Sequence, residues 1–306
     1  MRKLLAFTAG VLVTGTVLST AFAKDGNDNN GGAGNFRTAT PIKHLVVIFQ
    51  ENVSFDHYFG TYPFAANPSG EPRFEALPGT PSINGLTGLL KTANPNLNKA
   101  NGAGATNPFR LDRSEAATND QDHNYTPEQM AFDHGLMDLF PLSVGTAGPP
   151  PSDSAIESTT GLTMGYFDGN TVTAFWNYAQ RFAMSDNSFD TTFGPSTPGA
   201  INLISGQTNG VTMNVNPGGN TISDGNGGTT LISDADPVGD VCSTTTGNVV
   251  QFGGKNIGDL LTAAGVTWGF FEGGFNLQTV NPDGNTGCKR DHTSAFTASK
   301  KSCVSY

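Results

Sequence analysis

The residues best suited to metal chemistry stand in one run, residues 44–60, which reads H-L-V-V-I-F-Q-E-N-V-S-F-D-H-Y-F-G. Glu51 and Asn52 offer a carboxylate and an amide oxygen, hard donors that suit a divalent cation such as Mg²⁺, Mn²⁺ or Ca²⁺. The apolar run 45–49 before them predicts a strand buried on both faces in a parallel sheet. Polar groups just past the carboxyl end of such a strand lie where open α/β sheets bind ligands. We therefore expect Glu51 and Asn52 to be metal ligands; an ordinary turn at a strand end is the alternative.

A pair of hydroxyl residues, Ser196 and Thr197, is the second candidate for chemistry. Thr197 precedes Pro198, and apolar residues recur up to Gly206, which predicts a helix with Thr197 as its N-cap. The free N–H groups and the positive dipole end of such a terminus favour a phosphate and stabilise charge that develops on it. Thr197 is thus a candidate nucleophile, and Ser196 is its rival. The alternative is a plain N-cap, the usual role of a Thr-Pro pair.

His123 is the third candidate, in the polar run D-Q-D-H-N-Y. An imidazole in this position can contact a phosphate or protonate a leaving group, whereas an isolated His in a polar loop is often only solvated. For Asp56 and His57, helix packing or support of the metal ligands fits as well as direct contact with the site. We expect His134 and Asp138, which lie within a helical pattern, to be structural.

Alternating helices and strands must position these residues. The pattern predicts four helices. The first is capped by Thr126 and has Pro127 as its first residue, and the third begins at Thr197. The second covers 172–182 and has Phe175, Tyr178, Ala179 and Phe182 on its apolar face, and the fourth runs from its cap Asn256 through Ala264 and is ended by Gly265. A second buried strand is expected over 266–271, with Trp268 and Glu272 lining the pocket. The Gly-, Asn- and Thr-rich tract 209–250 is expected to be an insertion beside the site. This alternation favours an α/β layered fold.

Residues 51–60 resemble the opening motif of a bacterial phosphoesterase family that includes phospholipases C and acid phosphatases. That motif reads close to E-N-R-S-F-D-H-Y-F-G, and the chain departs from it at Val53. Residues 194–202 resemble the family's P-x-S-T-x-P-N-R segment, with the Ser-Thr pair kept and the Pro-Asn-Arg lost, and residues 135–140 fit its G-x-M-D-x-F pattern. The resemblance implies an alkaline-phosphatase-like α/β/α sandwich with a mostly parallel sheet, incomplete at the C-terminus.

The resemblance also implies a function, the hydrolysis of a phosphate ester or phospholipid by metal-assisted attack of a Thr hydroxyl. The site residues that follow are the metal ligands Glu51 and Asn52, the catalytic Thr197 and His123, and the substrate contacts Ser196 and Asn202. The family's later paired histidines and paired aspartates have no counterpart, since the sequence contains neither His-His nor Asp-Asp. A shortened form is therefore expected. An acid phosphatase of the same family and an inactive secreted protein are the alternatives.

Composition and the first residues restrict partners and location. The 306 residues include 16 basic and 26 acidic ones, for a net charge of −10, which argues against nucleic-acid binding through general phosphate attraction. Residues 1–23 combine Arg2 and Lys3 with an apolar stretch and A-F-A, which predicts a signal peptide and a secreted or periplasmic protein without a stable membrane anchor after cleavage. A retained anchor is the alternative. Residues 24–40 are expected to be a disordered linker and 41–306 a partial phosphoesterase domain.

The three cysteines are Cys242, Cys288 and Cys303. In an exported protein, such residues tend to pair. Three pairings are possible, each of which leaves one thiol over, and the sequence does not choose among them.

Overall fold

The computed structural model describes residues 38–116, 118–145, 159, 161–215, 217–239 and 248–271, and the backbone of four strands between 278 and 305. The chain divides into two compact units, Met1–Phe49 and Gln50–Tyr306. The expected signal peptide, most of the expected linker, Cys242 and Glu272 lie outside the described residues, as do the side chains of Cys288 and Cys303. Within the described part, no helix has the length and apolar content needed to cross a membrane.

Short helices and strands alternate along the described residues. The α-helices are α1 Phe55–Phe59, α2 Leu89–Thr92, α3 Tyr125–Phe132, α4 Phe140–Ser143, α5 Thr173–Ala179, α6 Ser196–Ser205 and α7 Ile257–Ala263. Turns of 3₁₀ helix cover Pro95–Leu97, Lys99–Gly104, Arg113–Glu115, Asp133–Gly135 and Leu162–Met164. The strands are β1 Phe109–Arg110, β2 Gly165–Tyr166, β3 Val211–Val215, β4 Thr221–Ser223, β5 Thr229–Leu231, β6 Asp236–Pro237, β7 Val249–Phe252, β8 Gln278–Val280, β9 Thr286–Cys288, β10 Asp291–Thr297 and β11 Lys300–Ser305.

The strands pair into several small sheets. β1 and β2 are parallel, and β3, β7 and β6 form a three-stranded sheet in which β6–β7 is parallel and β3–β7 is antiparallel. β4–β5, β8–β9 and β10–β11 are antiparallel pairs. The chain is therefore a mixed α/β protein, and the described residues do not assemble the single large parallel sheet that was expected.

Both of the predicted buried strands are wrong. Residues 45–49 adopt no strand, and Leu45 is 84% exposed. Residues 266–271 likewise form no strand, and Phe271 is 95% exposed. A strand is stabilised by hydrogen bonds to a neighbouring strand and by burial of its faces, and a local apolar run supplies neither. Trp268 instead packs its ring against Gly258 of α7, and its Nε1 donates to Thr262 Oγ1 at 2.9 Å.

The predicted helices do form, although two of the predicted caps are wrong. The N-cap residue of α3 is Asn124 rather than Thr126, and that of α6 is Pro195 rather than Thr197. Proline is tolerated anywhere in a first turn, since N–H groups there have no intrahelical acceptor. The cap of α7 is confirmed: Asn256 accepts hydrogen bonds from two N–H groups of the first turn, and Gly265 follows the helix with φ 70°.

α5 spans fewer residues than the predicted 172–182 and buries a different face. Trp176 is fully buried, whereas Tyr178 and Phe182, which were expected on the apolar face, are exposed. Aromatic side chains therefore form the centre of this region. Trp176 meets Tyr62 and Phe74 edge-on at ring distances of 5.2 and 5.0 Å, and its Nε1 donates to the carbonyl of Tyr58 at 2.7 Å.

The core fixes the segment that follows Glu51 and Asn52. Phe59 of α1 packs on the Trp176 cluster, and Tyr58 packs on a second cluster formed by Leu111, Leu162 and Phe167. The aromatic residues of the 51–60 motif are thus core anchors, and they hold the start of α1 in place. Gly60 closes this helix where a Cβ would come within 2.4 Å of the Asp56 carbonyl, so this close approach requires glycine.

A buried ion pair joins β1 to the end of β2. Arg110 Nε donates to Asp168 Oδ2 at 2.8 Å, and its terminal nitrogens donate to both carboxylate oxygens of Glu71. The Asp168 side chain is only 2% exposed and also accepts from the N–H groups of Ala66 and Asn170. This network ties three distant segments of the second unit together.

Candidate active site

The first turn of α6 is where the predicted segments meet. α6 begins at Ser196, after a sharp turn at Gly194 whose φ is +105°. A Cβ on Gly194 would lie 3.5 Å from Tyr125, but the left-handed backbone is the reason that glycine is needed here. The Gly194 N–H donates to Glu128 Oε2 of α3. The turn before the helix is therefore held by a carboxylate from another helix.

Glu51 reaches this turn from 145 residues away. Ser196 Oγ donates to Glu51 Oε2 at 2.7 Å. Glu51 is exposed and Ser196 is half-buried. The acidic motif and the hydroxyl pair, which the sequence pointed to separately, therefore lie in direct contact. Asn52 follows at the next position and is exposed.

Thr197 is the second residue of α6, and its backbone is held by a different carboxylate. Its N–H donates to Asp234 Oδ1 at 2.9 Å. The expectation that the free N–H groups of this terminus face a phosphate therefore needs correction, since the Thr197 N–H already has an anionic acceptor. Thr197 is half-buried and directly follows Ser196 in the chain.

Asn202 lies two turns along α6 and ties the helix to the preceding segment. Its Nδ2 donates to the Thr191 carbonyl at 3.1 Å, while Thr191 Oγ1 donates to the Gly199 carbonyl at 3.0 Å. Asn202 also borders a cavity of about 330 Å³ between α6 and α7. Its role as a substrate contact stays a prediction.

His123 precedes α3 and forms a hydrogen bond with Asp120. The ring Nε2 lies 2.9 Å from Asp120 Oδ1, and since the carboxylate accepts, this nitrogen is the donor. That bond leaves Nδ1 of the ring available for other chemistry.

Glu128 links His123 to the α6 turn electrostatically. Burial raises the pKa of the Glu128 carboxyl; the Gly194 N–H and the nearby His123 oppose this effect, and the nearby Asp190 and Asp122 reinforce it. Negative charge at this position is therefore costly, and a cation close to it would be stabilised. His123 thus belongs to the same electrostatic neighbourhood as the start of α6.

Sequence reasoning missed Glu128 and Asp234. Glu128 stands in the first turn of α3, where an acidic residue is common for reasons of helix dipole alone. Asp234 follows β5 in the Gly-, Asn- and Thr-rich tract, where short acidic turns recur and no local pattern distinguishes it. Only the long-range contact to α6 singles out either residue.

The oxygen donors of Glu51 and Asn52 fit a hard divalent cation in kind. Among the residues that the structure describes, however, no group of three or more His, Cys, Asp or Glu side chains is arranged to hold a metal ion. These residues alone therefore form an incomplete ligand set, and metal binding stays a prediction.

The remaining singled-out residues make local contacts. His57 Nδ1 lies 2.6 Å from Ser54 Oγ. Burial lowers the pKa of His57, and a hydrogen bond with the backbone of Thr163 partly opposes this effect. The Asp138 carbonyl accepts from the Asn98 and Asn101 side chains. These contacts agree with packing roles.

Comparison with known proteins gives two kinds of similarity. A model of the Phosphoesterase family matches residues 42–305. Phospholipase C A of Mycobacterium tuberculosis (strain ATCC 25618 / H37Rv) is 28% identical over 154 residues, which cover 48% of this chain and 26% of that protein. Phospholipase C B of the same strain is 27% identical over 177 residues, or 54% of this chain and 30% of that protein. The matched part of the chain thus spans less than a third of the length of these relatives.

Proposed function

Because the chain belongs to the Phosphoesterase family, we propose that the complete protein hydrolyses phosphate esters in the manner of a phospholipase C, with the nucleophile on the first turn of α6. The observation that carries this proposal is the 2.7 Å hydrogen bond from Ser196 to Glu51, which joins the two family-like motifs across 145 residues. The proposal extends to the fold, an alkaline-phosphatase-like α/β/α sandwich in the complete protein.

In the proposed reaction, Thr197 Oγ attacks phosphorus in line with the leaving oxygen. The Thr197 hydroxyl releases its proton to water as the Oγ–P bond forms and the P–O bond of the ester breaks, and the leaving oxygen takes up a proton, which His123 donates. A second water then attacks the phosphothreonine and gives its proton to His123. Phosphate or a phosphomonoester is released, and the Thr197 oxygen regains a proton from water. Ser196 and Asn202 are proposed to contact the substrate.

Glu51 and Asn52 are proposed to hold a divalent cation with ligands from outside the described residues. When bound, such a cation lowers the pKa of a nearby hydroxyl and polarises a phosphoryl oxygen. The chain's own contribution is positional. Glu51 accepts the hydrogen bond of the Ser196 hydroxyl and so fixes the first residue of α6.

The substrate and the location belong to the same proposal. A phospholipid or another phosphate ester outside the cytoplasm is proposed, with export directed by residues 1–23. An acid phosphatase is the second candidate, since the motif of residues 51–60 resembles both branches of the family. Turnover of p-nitrophenyl phosphorylcholine, p-nitrophenyl phosphate and p-nitrophenyl sulfate separates a phospholipase C, a phosphatase and a sulfatase-like hydrolase.

Paired variants of the complete protein test the nucleophile. We expect Thr197→Ala to lower kcat by at least about a thousand-fold, and Thr197→Ser to retain activity because it keeps a hydroxyl. Ser196→Ala is the matched control, with a smaller loss. Mass spectrometry of acid-quenched protein should find phosphate on the peptide that contains Thr197. Near-normal turnover by Thr197→Ala would refute the assignment, and abolition by Ser196→Ala alone would transfer it to Ser196.

Calorimetric titration with Mg²⁺, Mn²⁺ and Ca²⁺ tests the inactive alternative. A folded complete protein that binds none of these ions and hydrolyses none of the three esters supports an inert secreted protein.

A further inference from the structure

We propose that Asp234 is a positioning residue for Thr197: its carboxylate fixes the backbone of the nucleophile by accepting the Thr197 N–H. This inference rests on the proposed function and deepens it. It assigns to the 209–250 tract, which the sequence suggests only as an insertion, a part in building the reaction centre.

The first reason is that α6 lacks a cap of its own. Its N-cap residue is Pro195, which makes no side-chain capping bond. The N–H groups of a first turn have no acceptor inside the helix and need one from elsewhere. Asp234 supplies that acceptor at 2.9 Å, from a position 37 residues further along the chain. Helix caps are usually residues next to the helix in sequence, whereas α6 is capped by Asp234 from a distant part of the chain.

The second reason is that adjacent residues of the turn are held from two sides. Asp234 holds the backbone of Thr197, while Glu51 holds the side chain of Ser196. Glu128 holds the preceding Gly194 N–H. The Thr197 side chain itself is not needed for any of these bonds. The turn is therefore fixed while the Thr197 hydroxyl is left for chemistry.

The third reason concerns charge. A carboxylate next to the position of an incoming phosphate opposes its binding, so a purely electrostatic role for Asp234 would disfavour the reaction. Its benefit must therefore come from geometry. An asparagine can accept the same N–H through its side-chain oxygen without the negative charge. Asp234→Asn thus separates the hydrogen bond from the charge.

The test compares Asp234→Ala, Asp234→Asn and a control variant in the complete protein. Asp224 is the matched control, since its carboxylate caps a turn of the same tract by accepting the N–H groups of Asn226 and Gly228. Turnover of the ester that the wild-type protein hydrolyses gives kcat and KM. Hydrogen exchange at the amides of 194–199 reports the hold on the Thr197 backbone without reference to activity.

We expect Asp234→Ala to lower kcat about 100-fold, the loss typical of a reacting group displaced by about 1 Å. KM should change little, and exchange at Thr197 should accelerate. Asp234→Asn should keep kcat within about three-fold, on the basis that it preserves the hydrogen bond, with an equal or lower KM because the charge is gone. Asp224→Ala should match the wild type in kcat.

Three results would overturn the inference: Asp234→Ala with wild-type kcat, an equal loss of kcat in Asp224→Ala, or Asp234→Asn as impaired as Asp234→Ala. Failure of the proposed function itself looks different. In that case the wild-type protein hydrolyses no phosphate ester, while exchange at Thr197 still accelerates in Asp234→Ala, which supports the contact and refutes only the reaction.

Discussion

Replacing Arg110 by Ala should destabilise the second unit strongly, because it removes the cation from a buried cluster. Arg110 pairs with two carboxylates, Asp168 at 2.8 Å and Glu71 at 2.5 Å. Their side chains are 2% and 15% exposed, so Arg110 supplies the positive charge that compensates two poorly solvated acids. Without it, two negative charges remain side by side in a poorly solvated place.

The expected loss in the free energy of unfolding depends on the hydrogen bonds that the two acids keep when Arg110 is removed. Breaking a buried ion pair by removing one partner costs about 3 to 5 kcal/mol. Asp168 keeps two backbone donors, from Ala66 and Asn170, so the lower end applies. We expect a loss of about 3 kcal/mol, which for a domain of this size lowers Tm by about 6 to 12 °C.

Thermal and urea unfolding of the two arginine variants measure this effect. Arg73→Ala is the matched control, since Arg73 pairs with Glu75 at 2.7 Å but with side chains 66% and 71% exposed. That exposed pair should contribute less than about 1 kcal/mol. Equal destabilisation by the two variants, or a loss below about 1 kcal/mol for Arg110→Ala, would refute the reasoning from burial.

The pH dependence of stability is a second test of the cluster formed by Arg110, Asp168 and Glu71. Burial alone raises the pKa of Asp168, but Arg110 and the N–H groups of Ala66 and Asn170 outweigh it, so the pKa lies below 3.8. The cluster's contribution to stability is therefore present above pH 3.8 and is lost as the pH falls through the lower folded-state value. Arg110→Ala should weaken this acid dependence.

Two further changes have expected outcomes. Burial raises the pKa of Glu128, so the charged form of this carboxyl is disfavoured in the folded state. Glu128→Gln should therefore gain stability relative to the wild type as the pH rises above 4.5. Tm measured from pH 4 to 7 checks this, and a pH-independent difference would contradict it. Asn256→Ala should cost about 1 kcal/mol, because Asn256 caps α7 through the N–H groups of Gly258 and Asp259. Asn256→Ser, which restores an acceptor, is its control in urea unfolding, and no difference between the two would contradict the capping argument.

The sequence was most informative where structure depends on neighbours within a few residues. The helix from Asn256 to Gly265 was predictable because its cap and its left-handed end are both local. The Thr-Pro pairs located α3 and α6 but misplaced their first residues, because a proline fits several first-turn positions equally well. The presence of these helices was thus predictable, whereas the first residues of α3 and α6 were not.

The strands and the site depend on distant partners, and here local patterns were weak. Residues 45–49 have the composition of a buried strand and adopt none. The Glu51–Ser196 contact joins residues 145 positions apart, and only the resemblance of both motifs to one family suggested that they meet. No such signal marked Asp234, since its acidic turn resembles several others in the tract.

The long-range hydrogen bonds of the α6 turn have a consequence for the order of folding. Its three carboxylate contacts close loops of 145, 66 and 37 residues. Long loops are slow to close, and contacts of this kind form only when most of the topology exists. The α6 turn should therefore take its final geometry late during folding, and no excised stretch of fewer than 184 residues, from Glu51 to Asp234, holds all three contacts.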